Sequence, residues 1–208
     1  LRDAETRRPS GHLRPQGGRQ HRRAAARAPA PLLPELQPGA RYLLEIVVRT
    51  VGLGHALTQG TSDSNELWLD LKVRAGNLLI GRSGAIGDQG EVDPWAYFLN
   101  AYLLDREGNR IERRNAQDIF VALYNHQIPP GAAAVIHYAL TIPPDAEGPI
   151  QVEAALKYRK FDTRFYRHVM GERFAGNDLP IATLATDEIA LPLTNSETLA
   201  PTESRGIP

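Results

Sequence analysis

Two histidines stand where glycine or proline constrains the backbone. His55 lies in Gly52-Leu53-Gly54-His55, and His126 in Tyr124-Asn125-His126-Gln127-Ile128-Pro129-Pro130-Gly131. A neutral imidazole is a metal ligand through one ring nitrogen when a partner on the other nitrogen fixes its tautomer. A strand-borne ring points where the sheet dictates, but a loop imidazole at the rim of a fold can project into a neighbour. The plainer alternative is that each ring hydrogen-bonds its own loop and locks the turn. His137 falls on the polar side of a strand pattern and reads as solvated. His168, beside Arg164, Tyr166 and Arg167, reads as a surface residue, and His12 and His21 belong to an Arg-rich tail.

Other residue types offer less. Asp63, Glu66, Asp88, Glu91 and Asp93 supply hard oxygen ligands of the kind Ca²⁺ prefers. Their spacing fits no EF-hand loop, and turns favour Asp for ordinary backbone reasons. Trp68 and Trp95 offer a binding platform or, more commonly, the cover of a sheet. Ser83 in Gly81-Arg82-Ser83-Gly84 lacks the G-x-S-x-G pattern and its strand–turn–helix setting. Gly52-x-Gly54 leads into a strand rather than a helix, and there is no G-x-G-x-x-G or P-loop. The sequence is read as that of a non-enzyme.

The elements that must position these loops show a period of two. Tyr42, Leu44, Ile46 and Val48 alternate with Arg41, Glu45 and Arg49. Leu67, Leu69, Leu71 and Val73 alternate with Glu66, Asp70, Lys72 and Arg74. Ile136, Tyr138, Leu140 and Ile142 form a third such run, ended by Pro143-Pro144, and Ile150, Val152, Ala154, Leu156 and Tyr158 a fourth. Residues 97–104 are apolar on both faces, as in a central strand, and a last strand covers roughly residues 184–193. Residues 115–122 and 163–170 are candidates for short helices. Strands broken by Gly, Pro, Asp and Asn turns predict an all-β fold, an antiparallel immunoglobulin-like β-sandwich.

Composition sets the limits of the domain. Of 208 residues, the first 35 hold eight Arg and three acids, so the net charge of zero conceals a basic head and an acidic body. Such an arm can bind nucleic acid or membrane, but its Arg/Ala/Pro/Gly mixture reads as a solvated tail without a nucleic-acid role. The expected organisation is a tail or linker over 1–38, a sandwich over 39–194 and a polar tail over 195–208. With no Cys, the chain has no disulfide, no thiolate metal site and no CxxCH haem attachment. No apolar run reaches about 18 residues, so no transmembrane segment is expected. The start at Leu1, without Met or a signal pattern, reads as a processed product or a fragment.

Four segments carry a resemblance: GLGHALTQGTSDSNELWLDLKV, GEVDPWAYFLNAYLLDREGNRI, DIFVALYNHQIPPGAAAVIHYAL and VEAALKYRKFD. Together, over about residues 40–190, they resemble the C-terminal β-rich module of bacterial multihaem c-type cytochromes. That family's first loop commonly reads Gly-x-Gly-His-x-Phe-Pro-x-Gly before a Trp-bearing strand. Gly52, Gly54, His55, Gly60 and Trp68 match it, while Leu57-Thr58 stands in place of Phe-Pro. The haem-bearing part is absent, so electron transfer by this chain alone is not implied. The resemblance implies a periplasmic or extracellular accessory domain that packs on a multihaem c-type cytochrome. It also implies that no haem is bound covalently, with His55 or His126 lent to a haem of the partner chain. The alternative is an unrelated module that binds carbohydrate or calcium.

Overall fold

The structure is a computed structural model and describes residues 33–194. The expected C-terminal tail, and the expected N-terminal tail as far as residue 32, lie outside the described residues. In chain order the elements are β1 (Arg41–Arg49), β2 (Glu66–Ala75), β3 (Leu78–Ser83), β4 (Ala101–Leu104), β5 (Val121–Asn125), β6 (Ala133–Thr141), β7 (Ile150–Arg159), α1 (Thr163–Met170) and β8 (Ile181–Leu191). They form a four-stranded sheet in the order β3-β2-β7-β8 and two-stranded sheets β1-β6 and β4-β5. Every pairing between these strands is antiparallel, as expected from the sequence.

Period-two patterning explains the main layers. Leu67, Leu69, Leu71 and Val73 of β2 share a face with Tyr158, Leu156, Ala154 and Val152 of β7, to which they pair in register. Tyr42, Leu44 and Ile46 of β1 and Tyr138 and Leu140 of β6 pack against the Leu71, Val73 and Val152 part of this face. The core of the sandwich lies between those two sheets. Leu36 belongs to it as well, nearly fully buried, and pairs with Leu193 through Leu36 N–H to Pro192 C=O and Thr194 N–H to Leu36 C=O, both 2.8 Å. β2 turns into β3 through Gly76-Asn77, with Gly76 at φ +52°, a conformation suited to glycine in a two-residue hairpin.

Some segments differ from the sequence reading. Residues 97–99 run along the end of β2, where Leu69 N–H donates to Tyr97 C=O and Leu99 N–H to Leu67 C=O, and only Ala101–Leu104 continues as β4. Residues 115–122 hold one 3₁₀ turn at Ala116–Asp118 before β5 begins, whereas residues 163–170 do form a helix. That helix is capped by Asp162, whose carboxylate accepts from Phe165 N–H at 2.7 Å. β3 and β5 have no clear alternation and were not anticipated. Their apolar residues are largely exposed, so burial imposes no period on them.

Both faces of the sheet are covered at the Glu66 end of β2. Trp68 and Arg159, on the nominally polar face, are fully buried, and Glu66 is 7% exposed. Trp68 packs with Val92, Ala96 and Phe98 and donates its indole N–H to Gly84 C=O at 3.1 Å. A Cβ on Gly84 would lie 2.4 Å from Leu69 O, so only glycine lets this loop approach the sheet. Arg159 grips Glu66 through Nε (3.0 Å to Oε2) and a second guanidinium nitrogen, and also reaches Asn177 C=O at 3.3 Å.

Burial pushes the Glu66 carboxyl up from its ordinary 4.5 to about 7, against the pull of Arg159. The raised value favours the protonated carboxyl in the folded state. Its contribution is therefore present below about pH 4.5 and lost as pH rises through about 7. Urea unfolding from pH 4.5 to 7.5 should show a stability decline from this group that Glu66→Gln flattens. Arg159→Ala, which strips a buried partner, should cost about 3–5 kcal/mol in the same measurement at neutral pH.

Candidate functional site

The two histidine loops are joined. Leu57 and Ile128 form an antiparallel bridge with reciprocal N–H to C=O bonds of 2.8 and 2.7 Å. The Gln127 side-chain nitrogen donates to Thr58 C=O, and the Leu57–Thr58 peptide is cis. Gly52 and Gly60, at φ +75° and +78°, turn the chain at either end of the His55 loop. His55 and His126 sit two residues before Leu57 and Ile128, so the antiparallel register places them on opposite sides of the bridge. The structure thus brings the two loops to one rim without bringing the two rings into contact.

His126 is the more fully contacted ring. Its Nδ1 lies 3.1 Å from Phe98 C=O. A carbonyl can only accept, so Nδ1 carries the proton and the neutral ring keeps its lone pair on Nε2. The imidazole is stacked between Tyr97 (centroids 4.9 Å apart, 7° between planes) and Tyr124 (4.4 Å, 22°). Tyr124 in turn meets Tyr102 at 5.3 Å, and the Arg110 guanidinium lies 4.8 Å over the Tyr102 ring. Arg110 ends the column on Asp162, at 2.8 Å. Burial pushes the phenols of Tyr97 and Tyr124 upward, so both stay protonated donors at neutral pH.

The elements explain this column. Tyr124 and His126 are two residues apart at the end of β5 and project to one side, as alternation requires. Tyr102 is the cross-strand partner of Tyr124 in the β4–β5 register. Tyr97 is held beside β2 by the Leu69 N–H bond to its carbonyl, which also fixes the neighbouring Phe98 C=O. Sequence reasoning found His126 but missed Tyr97, Tyr102, Tyr124 and Arg110 around it. The i, i+2 spacing of Tyr124 and His126 was the available signal; the other three come from separate segments.

His55 is exposed, and its Nδ1 lies 3.0 Å from Ala56 C=O in its own loop. The same donor argument leaves Nε2 with the lone pair. His137 pairs with Glu45 at 2.9 Å on the outer face of β1–β6, and His168 is exposed on α1. Among the described residues, no group of three acidic or histidine side chains could hold a metal ion. Glu66 is committed to Arg159, and Asp93 accepts from Gly84 N–H (3.2 Å) and Trp95 N–H (3.0 Å) as a turn residue. Trp68 is wholly buried while Trp95 is 89% exposed, so the two make no common platform.

No family model matches the sequence, and no curated protein matches it. Among solved structures the fold is similar to that of a penta-heme cytochrome c552 from Thermochromatium tepidum, with a TM-score of 0.53 and 15% identity over 76% of this chain. The chain spans 38% of the length of that cytochrome. At this identity the likeness is one of fold.

The stacking and the Nδ1–H bond of His126 should be separable. His126→Phe keeps the column and loses the hydrogen bond, for a stability loss of about 1 kcal/mol. His126→Ala also loses two ring contacts, each worth roughly 0.5–1.5 kcal/mol, and should cost about 2–3 kcal/mol. Urea titrations monitored by tyrosine fluorescence would give both values.

Proposed function

We propose that this chain is a non-catalytic structural and interaction domain of an extracytoplasmic multihaem cytochrome assembly, periplasmic or extracellular. In this reading it occupies the place of the C-terminal β-rich module of such cytochromes, set against a part that bears the haems. The observation that carries the reading is the state of His126. Its ring is anchored through Nδ1–H to a backbone carbonyl, clamped between two tyrosines, and has its lone pair on Nε2. Such anchoring is what orients an imidazole towards a metal outside its own loop. The fold likeness to part of a penta-heme cytochrome supports the same reading.

The donor set fits a haem of a partner: His126 first, and His55 as a more exposed ligand from the joined loop. A haem, when bound, would supply the electron transfer. The residues of this chain would hold a ring nitrogen in place, cover one haem edge with Tyr97 and Tyr124, and limit access of water. A platform for carbohydrate or a calcium site gains no comparable support from the arrangement of Trp68, Trp95 and the five loop carboxylates.

A haem-c peptide with one open axial position provides the test. Added to the full chain, it should shift its Soret band towards a low-spin, imidazole-bound form. His126→Ala should abolish most of the shift, and His55→Ala should reduce it less. Equal shifts in all three proteins would remove the haem role and leave only the scaffold role.

A further inference from the structure

The two sheets of the sandwich do not match in width. Four strands form one layer, but the facing layer is β1 and β6 alone. β7–β8 register puts Leu191, Ile189, Asp187 and Ala185 on the same inner face as Ile150, Val152, Ala154 and Leu156. On β7 this face is largely buried, whereas on β8 every residue before Leu191 is exposed. Among the described residues β1 pairs with β6 only, so its other edge carries free N–H and C=O groups. That edge and the bare inner face of β8 bound a groove of about 690 Å³, lined by Leu44, Ile46, Leu156, Ala185, Asp187 and Ile189 among others. The groove has the place and the lining of one absent strand.

We infer that an extended segment of a partner polypeptide docks here by adding a strand to β1. Its inward side chains would be apolar, with one Lys or Arg among them placed to meet Asp187. Main-chain bonds to a sheet edge supply affinity in this mode, and pockets for alternate side chains supply selectivity. Asp187 decides the charge, for it is the ionisable residue of β8 that shares the inner face, beside Ala154 of β7. A carboxylate on an apolar face calls for a cationic complement and rejects an acidic one.

The described residues just ahead of β1 do not supply that strand. Leu36 is already paired in parallel with Leu193, and that register sets Pro34, which has no N–H, beside Leu191. A second copy is disfavoured too. Centred antiparallel pairing of β1 with itself would set Glu45 against Glu45 and Arg41 against Arg49, like charges directly opposite one another. The inference is independent of the haem reading, since it uses neither histidine, although Leu57 of the His55 loop also lines the groove.

A synthetic peptide that alternates Thr with Val, with one central Lys in a Val position, provides the probe. With the full chain, it should bind as a monomeric complex and slow amide exchange along β1. A glutamate in place of the lysine should weaken binding at least tenfold, and Asp187→Lys should reverse that preference. Ala185→Trp, which fills the groove from an exposed position, should block both peptides. The reversal by Asp187→Lys needs a folded protein, so it guards against a trivial loss. No binding, or equal binding of a scrambled peptide, would overturn the inference. So would slow exchange of the β1 edge without peptide, whether independent of protein concentration, from an internal occupant, or dependent on it, from a second copy.

Discussion

The antiparallel pairing of β2 with β7 fixes where most other elements can go. It runs unbroken from Glu66–Arg159 at one end to Ala75–Ile150 at the other. Because side chains alternate, one register decides at once that the Leu and Val residues face β1–β6 and that Glu66 and Arg159 meet on the opposite side. A slip of one residue would turn one strand over relative to the other, moving either Glu66 or Arg159 into the apolar layer and parting the pair. The ion pair at the Glu66 end is therefore a register lock as well as a contact. Its guanidinium also ties down Asn177, in the segment that leads from α1 to β8.

The histidine rim inherits its geometry from that same end of β2. Leu67 and Leu69 hold residues 97–99 in place through backbone bonds, and Phe98 C=O is what orients the His126 ring. Tyr97 arrives on one side of the imidazole by the same means, and β5 brings Tyr124 to the other. A path of direct contacts thus joins the buried Glu66–Arg159 pair, through β2 and Phe98, to Nδ1 of the His126 ring, leaving Nε2 as the nitrogen that the proposed function uses. The second approach to the same region is the Arg110–Asp162 pair, which connects the aromatic column to the cap of α1. Rigid supports of this kind are what let a loop side chain hold one orientation.

The open edge of the sandwich is built differently. There the four-stranded sheet extends beyond its two-stranded cover, and β8 keeps Ile189 and Ala185 in the open. One domain therefore presents a tightly supported rim of rings at one place and an unfinished layer at another. Both are features expected of a part that works inside a larger assembly, the role proposed for it.

Sequence alone determined the elements whose burial has a period. β1, β2, β6 and β7 were legible because one face of each meets a core, and residues 163–170 stood out as one of two candidates for a short helix. The all-β class followed from the same period of two, and the tight backbone of the His55 and His126 loops was legible because Gly and Pro constrain the chain by themselves. The four-stranded and two-stranded layers, the burial of Trp68 and Arg159 on a face that reads as polar, and the split of residues 97–104 were decided by tertiary structure. In each case the cause is a distant segment: Gly84 and Val92 cover Trp68, Asn177 closes over Arg159, and Leu67 captures Leu99. The same holds for the aromatic column, because Tyr97, Tyr102 and Tyr124 come from separate segments and no local pattern encodes a stack across them.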